Sequence, residues 1–168
     1  MLIVFSGLPG TGKTTIASML AQQTGALYLR IDTIEQTLRN SGVLAGEVGA
    51  SGYKVANELA QSNLRFGTTV IADCVNPVAE NRMEWANTAA SAEAQLVNIE
   101  VICSNKSEHQ RRVESRSSSI AGLTPPTWQS VMQHDYQAWD SAPFTIDTAL
   151  ITPEQAVNMI ISHINSKH

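Results

Sequence analysis

The chain has 168 residues, with 11 Lys+Arg against 15 Asp+Glu for a net charge of −4, 43% apolar residues and 15% charged ones. That is enough apolar material for one real core, and it excludes a disordered chain, a collagen-like repeat and a disulfide scaffold. The acidic balance makes a nucleic-acid partner unexpected, since a coating protein needs a basic face, and no stretch approaches the ~18 apolar residues of a membrane span.

In chain order, strands and helices alternate. Residues 2–6, LIVFS, form a short apolar run stopped by Gly7, as expected of a strand buried on both faces. A helix is predicted from Lys13 to Thr24 with Gly25 as its stop. Residues 27–31 read as a second strand, and Asp32, three before Glu35, reads as the cap of a helix over 33–40. Four glycines between 41 and 52 mark a mobile stretch, before a helix near 52–66 and a third strand over 68–73. Asn76-Pro77 predicts a helix start, with the helix running to Ser91. A fourth strand over 95–103, a polar helix over 105–117, a loop over 117–126 and a helix over 127–138 follow. A short strand at 144–147 precedes a last helix announced by Thr152-Pro153-Glu154-Gln155. Five strands interleaved with helices imply a single α/β domain over 1–168: a parallel sheet with helices on both faces.

The chemistry concentrates first in Gly7-Leu8-Pro9-Gly10-Thr11-Gly12-Lys13-Thr14, which matches G-x-x-x-x-G-K-[ST], the P-loop. It follows an apolar strand and opens a helix, the context its mechanism needs. Its glycines let the backbone wrap phosphate oxygens at a helix N-terminus. Gly7, Pro9, Gly10, Thr11, Gly12, Lys13, Thr14 and Thr15 are therefore the expected nucleotide-binding residues, with Lys13 reaching the β- and γ-phosphates and the Thr14 hydroxyl on Mg²⁺. Asp73 ends the third strand, VIAD, at the crevice where open sheets bind ligands. A carboxylate there suits Mg²⁺ or a nucleophile. Asp32, nineteen positions after Lys13, is placed to take a proton from an attacking hydroxyl, although it also reads as a helix cap.

Four of the eleven basic residues lie between 106 and 116, and none between 117 and 166. Arg112 and Arg116, four apart, share a helix face beneath the loop 117–126, which reads as a lid. An arginine there can stabilise charge on a transferring phosphoryl group, although Glu108 is also spaced to pair with Arg112. Among the remaining candidates, His109 and His134 read as surface residues, Trp85 as packed on the sheet and Cys74 as structural. Trp128 and Trp139 are open to stacking on a substrate, and Arg30 and Arg82 to anchoring one. With only Cys74 and Cys103, far apart, a reducing, cytoplasmic setting is expected, and the N-terminal run is not a convincing signal peptide.

Together GLPGTGKTT (7–15), YLRIDTIE (28–35), VIADCVNP (70–77), EHQRRVESR (108–116), PTWQSV (126–131) and IDT (146–148) resemble the small P-loop kinases grouped near gluconate kinase, adenylylsulfate kinase and polynucleotide 5′-kinase, and most closely the kinases and AAA-family ATPases of unassigned substrate. The resemblance implies a three-layer αβα P-loop NTPase fold with a parallel sheet ordered 2-3-1-4-5. It implies an ATP- and Mg²⁺-dependent kinase acting on a hydroxyl of a small molecule, nucleotide-like acceptors included. By the same resemblance Asp32 is the general base, Asp73 lies near Mg²⁺ and substrate, Arg116 is the lid arginine on the phosphates, Arg112 lies against the adenine, and Thr148 belongs to the adenine contact.

Two other classes compete. A GTPase switch is suggested by Asn105-Lys106-Ser107-Glu108, but the last position is Glu and no D-x-x-G follows the third strand. A regulatory nucleotide-binding module would hold ATP without a small-molecule acceptor. The intact set Lys13, Thr14, Asp32 and Asp73 argues against that reading.

Overall fold

The computed structural model describes residues 1–43, 46–141 and 143–166. Five parallel strands, β1 (Leu2–Ser6), β2 (Leu27–Arg30), β3 (Val70–Asp73), β4 (Leu96–Ile102) and β5 (Phe144–Asp147), form one sheet in the order β2-β3-β1-β4-β5. The helices are α1 (Lys13–Thr24), α2 (Ile31–Asn40), α3 (Ser51–Arg65), α4 (Ala79–Ser91), α5 (Lys106–Ser115), α6 (Trp128–Met132) and α7 (Pro153–Asn165).

Strand alternation builds the three layers. All five residues of β1 are buried, and successive side chains point to opposite faces. Ile3 and Phe5 pack with Ile16, Ala17 and Leu20 of α1 and Ala156, Val157 and Ile160 of α7. Leu2 and Val4 pack with Ala56, Ala60 and Leu64 of α3 and Trp85 and Ala89 of α4. Leu2, Ile3, Val4 and Phe5 are at most 2% exposed; side chains of this kind each contribute about 1.5–3 kcal/mol, which is why an unbroken apolar run suits the central strand. Gly25 closes α1 in the left-handed region at φ 70°, and Thr152 with Gln155 forms the expected capping box at α7.

The register fixes where the chemistry lies. Asp73 sits beside Phe5 on one side and Arg30 on the other, at the C-terminal edge of the sheet.

Several expected boundaries shift. The helix after β2 starts at Ile31, so Asp32 lies inside its first turn and caps nothing; the cap position is Arg30. The Asn76-Pro77 start is also displaced: α4 begins at Ala79 with Val78 at the cap. Asn76 instead turns the chain with φ 52°, fully buried, its amide donating to Ser6 Oγ at 2.9 Å. The helix predicted over 127–138 ends at Met132. Beyond it the chain folds back on α4, where Arg82 donates to the carbonyls of Gln137 (2.7 Å) and Ala138 (2.9 Å). Those carbonyls are free to accept because no helix uses them. The expectation of mobility over 41–52 falls partly on residues 44 and 45, which lie outside the described residues.

Candidate functional site

The turn from β1 into α1 needs its glycines. Gly7, Gly10 and Gly12 have φ of 138°, 84° and 99°, in the region that L side chains rarely adopt. A Cβ on Gly7 would collide with the Val101 carbonyl oxygen, and one on Gly10 with Val113 Cγ2. The loop is tied from three sides. Thr11 Oγ1 donates to the Leu8 carbonyl at 2.9 Å, Thr148 Oγ1 donates to the Thr11 carbonyl at 2.7 Å, and His109 Nε2 meets the Pro9 carbonyl at 2.8 Å and so carries the proton there. This open turn at a helix N-terminus is a cradle for an anion.

Lys13 lies in that cradle, only 7% exposed, with Nζ donating to the Leu8 carbonyl at 3.2 Å. Burial pushes its pKa below the ordinary lysine value, while Asp73 and then Asp32 pull it back up.

Asp73 is 3% exposed, and its Oδ2 accepts the Tyr28 hydroxyl at 2.8 Å. Burial and the Asp73 charge push the Tyr28 phenol up, so it stays a donor. Asp32 is more open, its side chain 42% exposed, on the first turn of α2. The Arg30 guanidinium stands between the two acids, 3.7 Å from Asp32 and 3.9 Å from Asp73, with Nη1 donating to Ser119 Oγ at 3.2 Å. Its Nε is buried and has no hydrogen-bond partner among the described residues.

Two cavities meet here. The first is walled by Gly10, Gly12, Thr15, Arg30, Arg112, Ser117 and Ser119. The second is walled by Pro9, Asp32, Asp73, Cys74, Val75, Ser118 and the run Leu123 to Pro126. Lys13, Thr14 and Arg116 face both. Arg116 stands at the C-cap of α5, where its charge acts against that of Lys13. The loop 117–126 rests on α2: Asn40 donates to the Ala121 carbonyl at 3.2 Å, and Gly122 lies against Gln36 and Asn40.

The other basic candidates are already engaged. Arg112 lines the first cavity while donating to Glu108 (2.8 Å) and to the Thr148 hydroxyl (2.8 Å) and carbonyl (3.1 Å). Thr148 lies behind the loop, between Thr11 and Arg112, and lines neither cavity. Arg82 grips backbone carbonyls and stacks over Trp139 at 4.1 Å. It holds the fold, and with it Trp139. His109 corrects the surface reading: it is 7% exposed, wedged between Pro9 and Trp128 at 5.1 Å, edge to face. Cys74 is buried with Sγ 3.4 Å from the Phe5 carbonyl, and burial pushes its thiol up, as a structural cysteine requires. Of the partners that matter, Tyr28 and His109 gave no local signal: each acts on a residue far away in the chain.

Among the described residues no cluster of three or more His, Cys, Asp or Glu forms a metal cage. A divalent ion would need phosphate oxygens as well as Thr14 and Asp73, the way Mg²⁺ is commonly held. No helix among them is long and apolar enough to cross a membrane.

The family profile of the AAA domain matches residues 2–126. An uncharacterized protein of Mycobacterium tuberculosis is 42% identical over 62 residues, 35% of this chain but only 12% of that much longer relative. Among solved structures, a protein of Chloroflexus aurantiacus named as a candidate kinase superposes with a TM-score of 0.77 at 22% identity, covering 98% of this chain and 96% of its own. The Mycobacterium tuberculosis APS kinase in complex with AMPPNP and APS superposes with a TM-score of 0.69 at 15% identity, covering 98% and 96%. With the glycine turn, the sheet order and the flanking layers as described, the chain belongs to the AAA domain family and has the three-layer P-loop NTPase fold shared with these kinases.

Proposed function

We propose that the protein is an ATP-dependent kinase that transfers the γ-phosphate to a hydroxyl of a small-molecule acceptor. One observation carries this reading: Lys13, Thr14 and Arg116 face both the glycine-walled cavity and the crevice that holds Asp32 and Asp73. A phosphoryl group passing between the two would stay against the same cations throughout. The structural likeness to an APS kinase supports the reaction class.

In this reading ATP lies with its phosphates in the turn 7–15. Mg²⁺, held by Thr14 and Asp73, screens their charge when bound. The acceptor hydroxyl sits near Asp32, which takes its proton as the oxygen attacks. One acceptor O–P bond forms, the bond from the γ-phosphorus to the bridging oxygen breaks, and ADP leaves. Lys13 and Arg116 stabilise the charge that grows on the transferring oxygens. Arg30, 3.7 Å from Asp32 and 3.9 Å from Asp73, sets one positive charge between the two carboxylates. The loop 117–126 acts as the lid that excludes water. Arg112 and Thr148 brace the turn and stand toward the nucleotide from behind it. The setting is cytoplasmic and the partner a small molecule.

The guanine-switch alternative loses its best feature here. Asn105 is taken up capping α5, accepting from the Glu108 amide, and the Glu108 carboxylate is held by Arg111 and Arg112.

The test is phosphorylated product detected by mass spectrometry when Mg-ATP and a metabolite extract are incubated with the protein. Lys13→Ala should reduce product more than ~100-fold, by analogy with loss of one transition-state donor. Product at the wild-type rate from a clean Lys13→Ala preparation refutes the kinase reading.

A further inference from the structure

We infer that the phosphate acceptor is an uncharged hydroxyl compound with an apolar face. The inference rests on the kinase reading and concerns the crevice that lies against Asp32 and Asp73.

The first part of the argument is a census of charge. Lys13 and Arg116 are the cations that line the crevice among the described residues, and both also line the cavity of the glycine turn. The triphosphate therefore claims them. Arg30 faces the phosphate side, and its charge is balanced by Asp32 and Asp73. Arg39 lies 3.5 Å from Glu35, and Arg82 is occupied by four backbone carbonyls and the Trp139 ring. A carboxylate or phosphate on the acceptor would enter a site with two acids and no cation left to receive it. Such a group loses its water without gaining a partner.

A cationic acceptor fares no better. Asp73 is 3% exposed and already accepts from Tyr28, and Mg²⁺ would claim its remaining capacity. Asp32 must stay free to take a proton, and an ammonium bound to it would occupy the carboxylate that the acceptor hydroxyl needs. The Cys74 thiol is buried, with Sγ 3.4 Å from the Phe5 carbonyl, so it is turned to the backbone rather than to an amine.

The second part is the character of the remaining wall. Val75 and Leu123 present aliphatic surface, and Pro125 and Pro126 present two rigid rings without N–H donors. All four are only partly buried, so a ligand would cover them. Ser118 and Thr124 add hydroxyls at the margin, that of Ser118 already donating to the Ile120 carbonyl at 3.1 Å. Facing the ionic and hydroxyl groups of the crevice, this apolar stretch completes the mixed lining usual in a small-molecule site. It matches a compound that shows one apolar face to the lid and one hydroxyl to Asp32.

The experiment uses the full chain with Mg-ATP and a metabolite extract separated at neutral pH into anionic, cationic and uncharged pools. The uncharged pool is then divided on an apolar column. Gain of one phosphoryl group is read by mass spectrometry, with Lys13→Ala as the control. The expected result is product from the uncharged, column-retained pool, at least about tenfold above the other pools. For that acceptor, Leu123→Lys should raise KM at least about tenfold, while Leu123→Met should keep it within about threefold. Product confined to the anionic or the cationic pool overturns the inference and leaves the kinase reading standing. Product in no pool overturns the kinase reading, and the inference falls with it. An unchanged KM in Leu123→Lys removes the apolar wall from the acceptor site and refutes the inference on its own.

Discussion

Replacing Gly10 by alanine probes the contact between the glycine turn and α5. Two costs combine. Gly10 has φ 84°, and an L residue held there loses roughly 1–2 kcal/mol. The new Cβ would also overlap Val113 Cγ2 and approach His109 Cδ2 at 3.3 Å. Val113 is 3% exposed and β-branched, so its rotamer cannot swing away. Overpacking of that kind costs about 1–3 kcal/mol. Gly10→Ala should therefore lose about 2–5 kcal/mol, lowering a urea midpoint by roughly 1–2 M. Val113→Ala removes the colliding methyl and leaves only the backbone part of the cost. The two substitutions should thus couple favourably by about 1–3 kcal/mol in a double-mutant cycle. Mg-ATP affinity, followed by titration, should fall in the single variant and recover in part in the double one, because Gly10 lines the cavity in which the proposed reading places the phosphates. Additivity within about 0.5 kcal/mol would mean that α5 does not press on the turn, and the reasoning would fail.

Asp32→Asn keeps the side chain's size but cannot take a proton, so ATP affinity should hold while turnover drops by about 100-fold or more; turnover within a few-fold of wild type would move the base elsewhere, with Asp73 next. Arg116→Ala should lower kcat more than it weakens ATP binding, and hydrogen exchange over 117–124 should slow when nucleotide and acceptor bind; a change in ATP affinity alone, or exchange already slow without ligand, would refute the lid. Glu108, held by Arg111 and Arg112 at about 2 against an ordinary 4.5, should show that low midpoint by carbon NMR. Its folded pKa is depressed, so its link to α5 is fully present above the ordinary carboxylate range and is lost as pH falls through about 2. A midpoint near 4.5 would break the triad.

What the sequence disclosed and what it withheld divide along physical lines. The apolar run 2–6, the glycines from 7 to 12 and the closing Asp73 are local signals, and each lies where the pattern placed it. The sheet order, by contrast, is no local signal: it comes only from the family resemblance, with which it agrees. Asn76-Pro77 has the chemistry of a helix start, yet the chain must first cross the end of the sheet, and Asn76 is fully buried against Ser6 to do so. Residues 133–138 have helix-compatible composition, but Arg82 takes the carbonyls of Gln137 and Ala138, which a helix would have turned inward. His109 looks solvent-facing in a polar segment because its partner, the Pro9 carbonyl, is 100 positions away. Tertiary partners override local preference at each of these places.

The coupling of the turn to the lid can be followed along one helix. On α5, residues three and four apart share a face, and His109, Arg112, Val113 and Arg116 follow that spacing. His109 holds the Pro9 carbonyl, Val113 fills the space that Gly10 leaves, and Arg112 fixes Thr148, which in turn fixes Thr11. Arg116, the last of the four, opens into both cavities at the point where the lid begins. A displacement of α5 would therefore move the cradle and the arginine together. The contacts of His109, Arg112 and Val113 are all made within the protein, so they hold the helix independently of the loop beyond it. In the proposed reading, closure of the loop 117–126 is then confined to residues beyond Arg116, which stays at the boundary the two cavities share. That arrangement explains why a helix with a strongly polar sequence is nonetheless anchored by two buried residues, His109 and Val113.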